Sequence, residues 1–139
     1  MYQLTNISME SAMLGINAML SKAQNEFDRP ISVAIVDIHG DLVVFARMDN
    51  CLALPQKLAF KKAYTASLMK NNTADVEERF KNMGRNISDF GDSNLIALKG
   101  GITIINPADN SVIGAIGVSG LTADQDEMIA NVGLQSMNL

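Results

Sequence analysis

The chain has 139 residues, 47% of them apolar, and a formal net charge of −4. That length fits a single domain over 1–139, with enough apolar side chains to bury a core. The acidic balance and scattered Lys and Arg exclude an electrostatic nucleic-acid binder, since neutralising phosphates requires clustered cations. No run approaches the roughly 18 apolar residues that cross a bilayer. Residues 1–20 lack the basic start, apolar run and small-residue cleavage site of a signal peptide, so a cytoplasmic protein with no membrane partner is expected. The one cysteine, Cys51, and one histidine, His39, leave no intrachain disulfide, no cysteine cluster and no multi-histidine metal site within one chain.

Met9, Ala12, Met13, Ile16, Met19, Leu20, Ala23 and Phe27 recur at spacings of three and four, which predicts a helix begun by Thr5 or Ser8 with this stripe on the core. Pro30 ends it. Residues 31–37 (ISVAIVD) and 42–48 (LVVFARM) are β-branched and apolar, and they read as a hairpin with His39 and Gly40 at its tip. Both are apolar at odd and even positions, so both sheet faces are expected to be covered. After the turn at Asp49 and Asn50, residues 54–70 read as a helix with Pro55 in its first turn. Thr73 is expected to cap a shorter helix carrying Val76, Phe80 and Met83, stopped by Gly84. Residues 85–99 read as loop, with a short strand or turn at Asn94–Leu98. Ile102–Ile105 and Val112–Ser119 predict a second hairpin, and Thr122 with Gln125 a capping box opening a last helix to about Gly133. This order implies an α+β domain: an antiparallel sheet of about five strands, flanked by helices on both faces.

On the wheel of the central helix, Lys62 falls inside an apolar arc with Leu58, Ala59, Ala63, Ala66 and Met69. Two readings stand. Its stem covers apolar surface while the amine finds water or a carboxylate, or its ammonium points into a pocket. Phe60, Tyr64 and Leu68 make the opposite side apolar as well, which favours self-association, with burial under the first helix as the rival. In the stretch GAIGVSG (114–120) neither the P-loop pattern nor GxGxxG is matched. Gly114 and Gly117 lie within a strand, where a missing side chain permits close approach of a chain or ligand. Gly120 leads into a helix N-terminus, whose unpaired amides favour an anion. Arg47 and Asp49 close the second strand, and Asp126 sits in the first turn of the last helix as a dipole partner or surface ion. His39 reads as a turn residue or, alternatively, a ligand.

The stretches VAIVDIHGDLVVFARMDN (33–50), KAYTA (62–66), GGITI (100–104) and SVIGAIGVSGLTADQDEMIANVG (111–133) together resemble the GlcG/HbpS-like family. The resemblance implies a profilin-like three-layer domain that forms homo-oligomers, at least dimers. It places the family's helix lysine on Lys62, its glycine loop on Gly117, Val118, Ser119 and Gly120, and its RMD segment on Arg47, Met48 and Asp49. Asn50 replaces a usual Gly, Thr103 a usual Pro and Leu121 a frequent Gly. Members of the family occur in glycolate-utilisation clusters, beside glycerol and propanediol dehydratases, fused to a corrinoid adenosyltransferase, and as a secreted haem-binding sensor.

Three functions follow as expectations. The first is an accessory protein of diol, glycerol or glycolate metabolism, binding a small oxygenated molecule or cofactor through Lys62, Arg47 and the amides of Gly117–Gly120. The second is an enzyme using Lys62 as acid, base or Schiff-base nucleophile. The third is a haem-binding protein, with the ligand supplied by His39, the sole histidine, or by another party such as a partner chain.

Overall fold

The computed structural model describes residues 5–139. Helix α1 (Met9–Glu26) starts at Ser8, whose side-chain oxygen accepts from the Ser11 amide and satisfies one donor of the first turn. Strands β1 (Ser32–Val36), β2 (Leu42–Arg47), β3 (Gly101–Ile105) and β4 (Val112–Ser119) form one sheet in the order β2-β1-β4-β3, antiparallel throughout. Helices α2 (Ala53–Met69) and α3 (Thr73–Met83) lie between the hairpins, and α4 (Ala123–Ser136) follows β4. Thr122 and Gln125 form the expected capping box at its start.

Among the described residues the sheet has four strands, not about five. Of the strand or turn expected at 94–98, the structure has a turn in which the Leu95 amide donates to the Asp92 carbonyl, and no strand, because the Ile96 amide donates to Thr65 Oγ1 of α2 while Leu95 and Ala97 pack against Val76, Phe80 and Ile87. An amide committed to a side chain is lost to a ladder.

Strand alternation builds the two cores. On one face Val33, Ile35, Ile102, Ile104, Ile116 and Val118 meet Ala12, Ile16, Met19 and Ala23 of α1 and Ile129 and Ala130 of α4. On the other, Ala34, Val36 and Ala115 meet Ala59, Ala63 and Ala66 of α2. This second layer is thin because its residues are small. A Cβ at Gly117 would stand 2.0 Å from the Ala59 carbonyl oxygen, so the helix rests on bare strand backbone. The close approach is therefore made by the protein itself: by α2 at Gly117, by the Val36 carbonyl and Ile7 at Gly114, and by the Pro30 carbonyl at Gly120.

Two expectations about burial change. Met9 and Met13 are 66% and 39% exposed rather than core residues. Helix α1 buries Ser11 and Gly15 beside Ala12 and Ile16 instead, since a Cβ at Gly15 would lie 3.2 Å from the Gly133 carbonyl oxygen and so the two helices meet through glycine. Strand β2 is an edge whose α2-side face is open, because α2 lies over β4, β1 and β3. Residues opposite one another across a ladder share a face, so Leu42, Phe45 and Arg47 stand with Val36, Ala34 and Ser32 on that side. Asn72, rather than Thr73, precedes the first turn of α3, and Thr73 Oγ1 accepts from the Gly101 amide.

Candidate functional site

Lys62 is 4% exposed and its Nζ donates to the Val118 carbonyl at 2.9 Å and to Asp126 Oδ2 at 3.0 Å. The other carboxylate oxygen of Asp126 accepts from the Leu121 amide at 3.0 Å. The lysine and the 117–120 loop do converge, yet what stands between them is a carboxylate of the protein itself. Asp126 occupies the electropositive start of α4 that a ligand anion would take. Burial pushes its carboxyl above the usual carboxylate range, while the Lys62 charge and hydrogen bond, and then the Leu121 amide, pull the other way. Gly100, at φ +124, completes the packing, since a Cβ there would lie 2.8 Å from Lys62 Nζ. Of the loop, Gly117 and Val118 are consumed by α2 and by Lys62, Ser119 is buried, and Gly120 is half-buried at φ +133.

The remaining candidates, Arg47 and His39, lie elsewhere, at opposite ends of strand β2. His39 is exposed at the hairpin tip, where its amide donates to Asp37 Oδ1 and no described residue bonds its ring. The neighbouring Gly40, at φ +80, seats the tip on α2, for a Cβ there would lie 2.6 Å from Leu68 Cδ1 and 2.8 Å from Tyr64 Cδ2. At the far end Arg47 Nη1 donates to Gln56 Oε1 at 3.2 Å. Those two contacts show that α2 runs back along β2, with its C-terminal half beside the tip and its first turns beside Arg47. Between them lies an apolar strip: Leu42 (52% exposed) and Phe45 on the strand, Phe60, Tyr64 and Leu68 on the helix. Phe60 and Tyr64 pack with ring centroids 5.7 Å apart, and the Tyr64 hydroxyl donates to Asp92 Oδ2 at 2.6 Å. Arg47 also borders a depression of about 430 Å³ lined by Leu20, Gln24, Met48 and Asp49.

Of the two readings of Lys62, the amine finds a carboxylate, and that carboxylate is Asp126, expected as a dipole partner or surface ion and here buried. The available signal was a lysine in an apolar arc, which demands a buried counter-ion, together with an Asp at the end of an apolar strand-turn-helix run. Gln56 and Asp92 carried no such signal, since both are ordinary surface residues until α2 and the loop are placed. The three departures from the family pattern have local partners. Asn50 adopts φ +68, Thr103 donates from its amide and hydroxyl to Asn72 Oδ1, and Leu121 supplies the amide that holds Asp126.

The chain is 35% identical to protein GlcG of Escherichia coli K12 over 107 residues, which is 74% of this chain and 76% of that one. It is 28% identical over 135 residues to an uncharacterized 15.0 kDa protein in the dhaT-dhaS intergenic region of Citrobacter freundii, covering 95% of this chain and 92% of the relative. The crystal structure of a PduOC–heme complex matches with a TM-score of 0.86 at 28% identity, over 96% of each chain. A family model described as haem degrading protein HbpS-like matches residues 7–135. The chain belongs to the HbpS-like family.

Proposed function

We propose that this protein is a small accessory protein that binds haem, and that it does so on the strip between His39 and Arg47. The observation that carries this reading is the position of its one imidazole, unbonded by any described residue, at the end of an exposed apolar surface made by Leu42, Phe45, Phe60, Tyr64 and Leu68. The donor set suits the group: an imidazole nitrogen for the iron, apolar and aromatic side chains for the porphyrin face, and a cation beyond them. The heme complex of the structural relative and the family description support the ligand class. Haem held there would supply a redox-active iron. The protein's residues would bind and orient it, His39 holding the iron and the apolar strip the porphyrin.

Lys62 supports an enzyme reading less well. A Schiff-base nucleophile needs an unprotonated amine facing the substrate, and this amine is spent on Asp126 and Val118. The resemblance to family members found beside glycerol and propanediol dehydratases supports a setting in diol or glycerol metabolism. In this reading copies of the chain also associate, at least as a dimer, through the apolar residues around the start of α2.

Titration of the apoprotein with hemin tests the proposal. The expected result is a saturable, shifted Soret band that His39→Ala abolishes or moves. A Soret band identical in the wild type and His39→Ala overturns the assignment of His39, and no binding by the wild type overturns the haem reading itself.

A further inference from the structure

We infer that Arg47, held by Gln56, recognises the carboxylates of an amphipathic ligand whose apolar body lies along β2. This rests on the haem reading above and adds an orientation to it: the propionate edge lies at the Arg47 end, away from His39.

The strip is chemically asymmetric. Its tip end carries an imidazole and the side chains of Leu42 and Leu68, while its other end carries an exposed guanidinium. Arg47 pairs across the ladder with Ser32, which puts it on the same face as Phe45 and Leu42. Its bond to Gln56 Oε1 engages Nη1 and holds the guanidinium over the first turns of α2, leaving the other N–H groups of the fork available. No described carboxylate neutralises Arg47; the ion pairs of the described residues join Lys22 to Glu26, Lys62 to Asp126, and Lys99 to Asp124 and Glu127. A planar, fork-shaped cation beside an apolar surface is the arrangement that takes a carboxylate in two parallel hydrogen bonds. From Leu42 to Arg47 the strand rises about 16 Å at roughly 3.3 Å per residue. Iron sits at the centre of the macrocycle, so the side chains of His39 and Arg47 both reach inward along this length to hold one haem. Lys62, the chain's other candidate cation for an anionic ligand, is buried and already paired.

The test compares hemin with hemin dimethyl ester, which keeps the macrocycle and iron and removes both negative charges. The wild type is expected to bind the free acid roughly fivefold or more tightly than the diester, the size of one partly exposed ion pair. Arg47→Ala is expected to lose that preference by weakening free-acid binding alone, with Arg47→Lys recovering part of it, and raised salt narrowing the gap in the wild type. Arg47 is exposed, so thermal unfolding of the variants should match the wild type and separate ligand effects from folding. Equal affinity of the wild type for acid and diester, or a preference that survives in Arg47→Ala, overturns the assignment of Arg47 and leaves haem binding standing. Failure of both compounds to bind the wild type overturns the haem reading.

Discussion

Lys62 Nζ stands 3.0 Å from Asp126 Oδ2 with both side chains 4% exposed, and this contact ties the middle of α2 to the first turn of α4 across the end of β4. Removing either partner leaves a buried charge alone. Lys62→Met and Asp126→Leu are each expected to cost about 3–5 kcal/mol. The double variant is expected to lose clearly less than the sum, because no orphan charge remains. Urea unfolding of the four proteins measures this, and strictly additive losses would remove the pair from the account of stability.

Close contact between α2 and β4 makes a second prediction, about glycine. A Cβ at Gly117 would meet the Ala59 carbonyl oxygen at 2.0 Å and the Ala63 nitrogen at 2.6 Å, all backbone atoms that cannot rotate away. Gly117→Ala must lift the helix from the sheet, at a cost of about 3 kcal/mol or more. Gly84 is the control. It caps α3 at φ +63 with nothing within 4 Å of an added Cβ, so Gly84→Ala costs only the left-handed conformation, about 1–2 kcal/mol. Equal losses in thermal unfolding would contradict this packing.

What could be read from the residues divides along physical lines. The capping box at Thr122, the break at Gly84 and the two apolar faces of β1 are local chemistry, and the structure repeats them, β1 being buried along its whole length. Strand β2 has the same apolar text as β1 yet lies at the edge, because exposure depends on where α2 settles, and α2 settles where Gly117 and three alanines let it approach. Met13 and Gly15 exchange roles for a similar reason: the α1–α4 crossing selects small residues, which hydrophobic periodicity scores as weak. Lys62 was legible as an anomaly in its arc. Its partner was not, since Asp126 lies 64 residues away and is joined to it only by the fold.

The Tyr64–Asp92 hydrogen bond predicts a pH signature. The bond to Asp92 holds the Tyr64 phenol above its ordinary 10.0, and the same bond holds the Asp92 carboxyl below its ordinary 3.8. For the raised phenol, the stabilisation is complete below pH 10 and fades as pH rises through the folded value. For the lowered carboxyl, it is present above pH 3.8 and fades as pH falls through the folded value. The stability difference between wild type and Asp92→Asn should therefore be flat through neutrality and shrink at both extremes. Ultraviolet titration of the phenols should show Tyr64 ionising at lower pH in Asp92→Asn; an unmoved curve would mean the bond is absent in solution.

Leu52 and Leu54 frame the start of α2 at 71% and 64% exposure, and Leu52 leaves the helix without a side-chain cap. Two large aliphatic side chains left this exposed gain nothing in a lone domain, and burial against another copy would return roughly 1.5–3 kcal/mol for each fully covered leucine. Helix stability does not require them, since α2 is held by its alanine face against the sheet. Leu52→Lys with Leu54→Lys is therefore expected to leave the far-ultraviolet circular dichroism unchanged while shifting the mass in sedimentation equilibrium toward a single 15.0 kDa chain. An unmodified protein that already sediments as one chain would end the proposal of self-association. A double variant that keeps the assembled mass would move the interface elsewhere, with the exposed Met9, Met13 and Leu14 of α1 as the next surface to change.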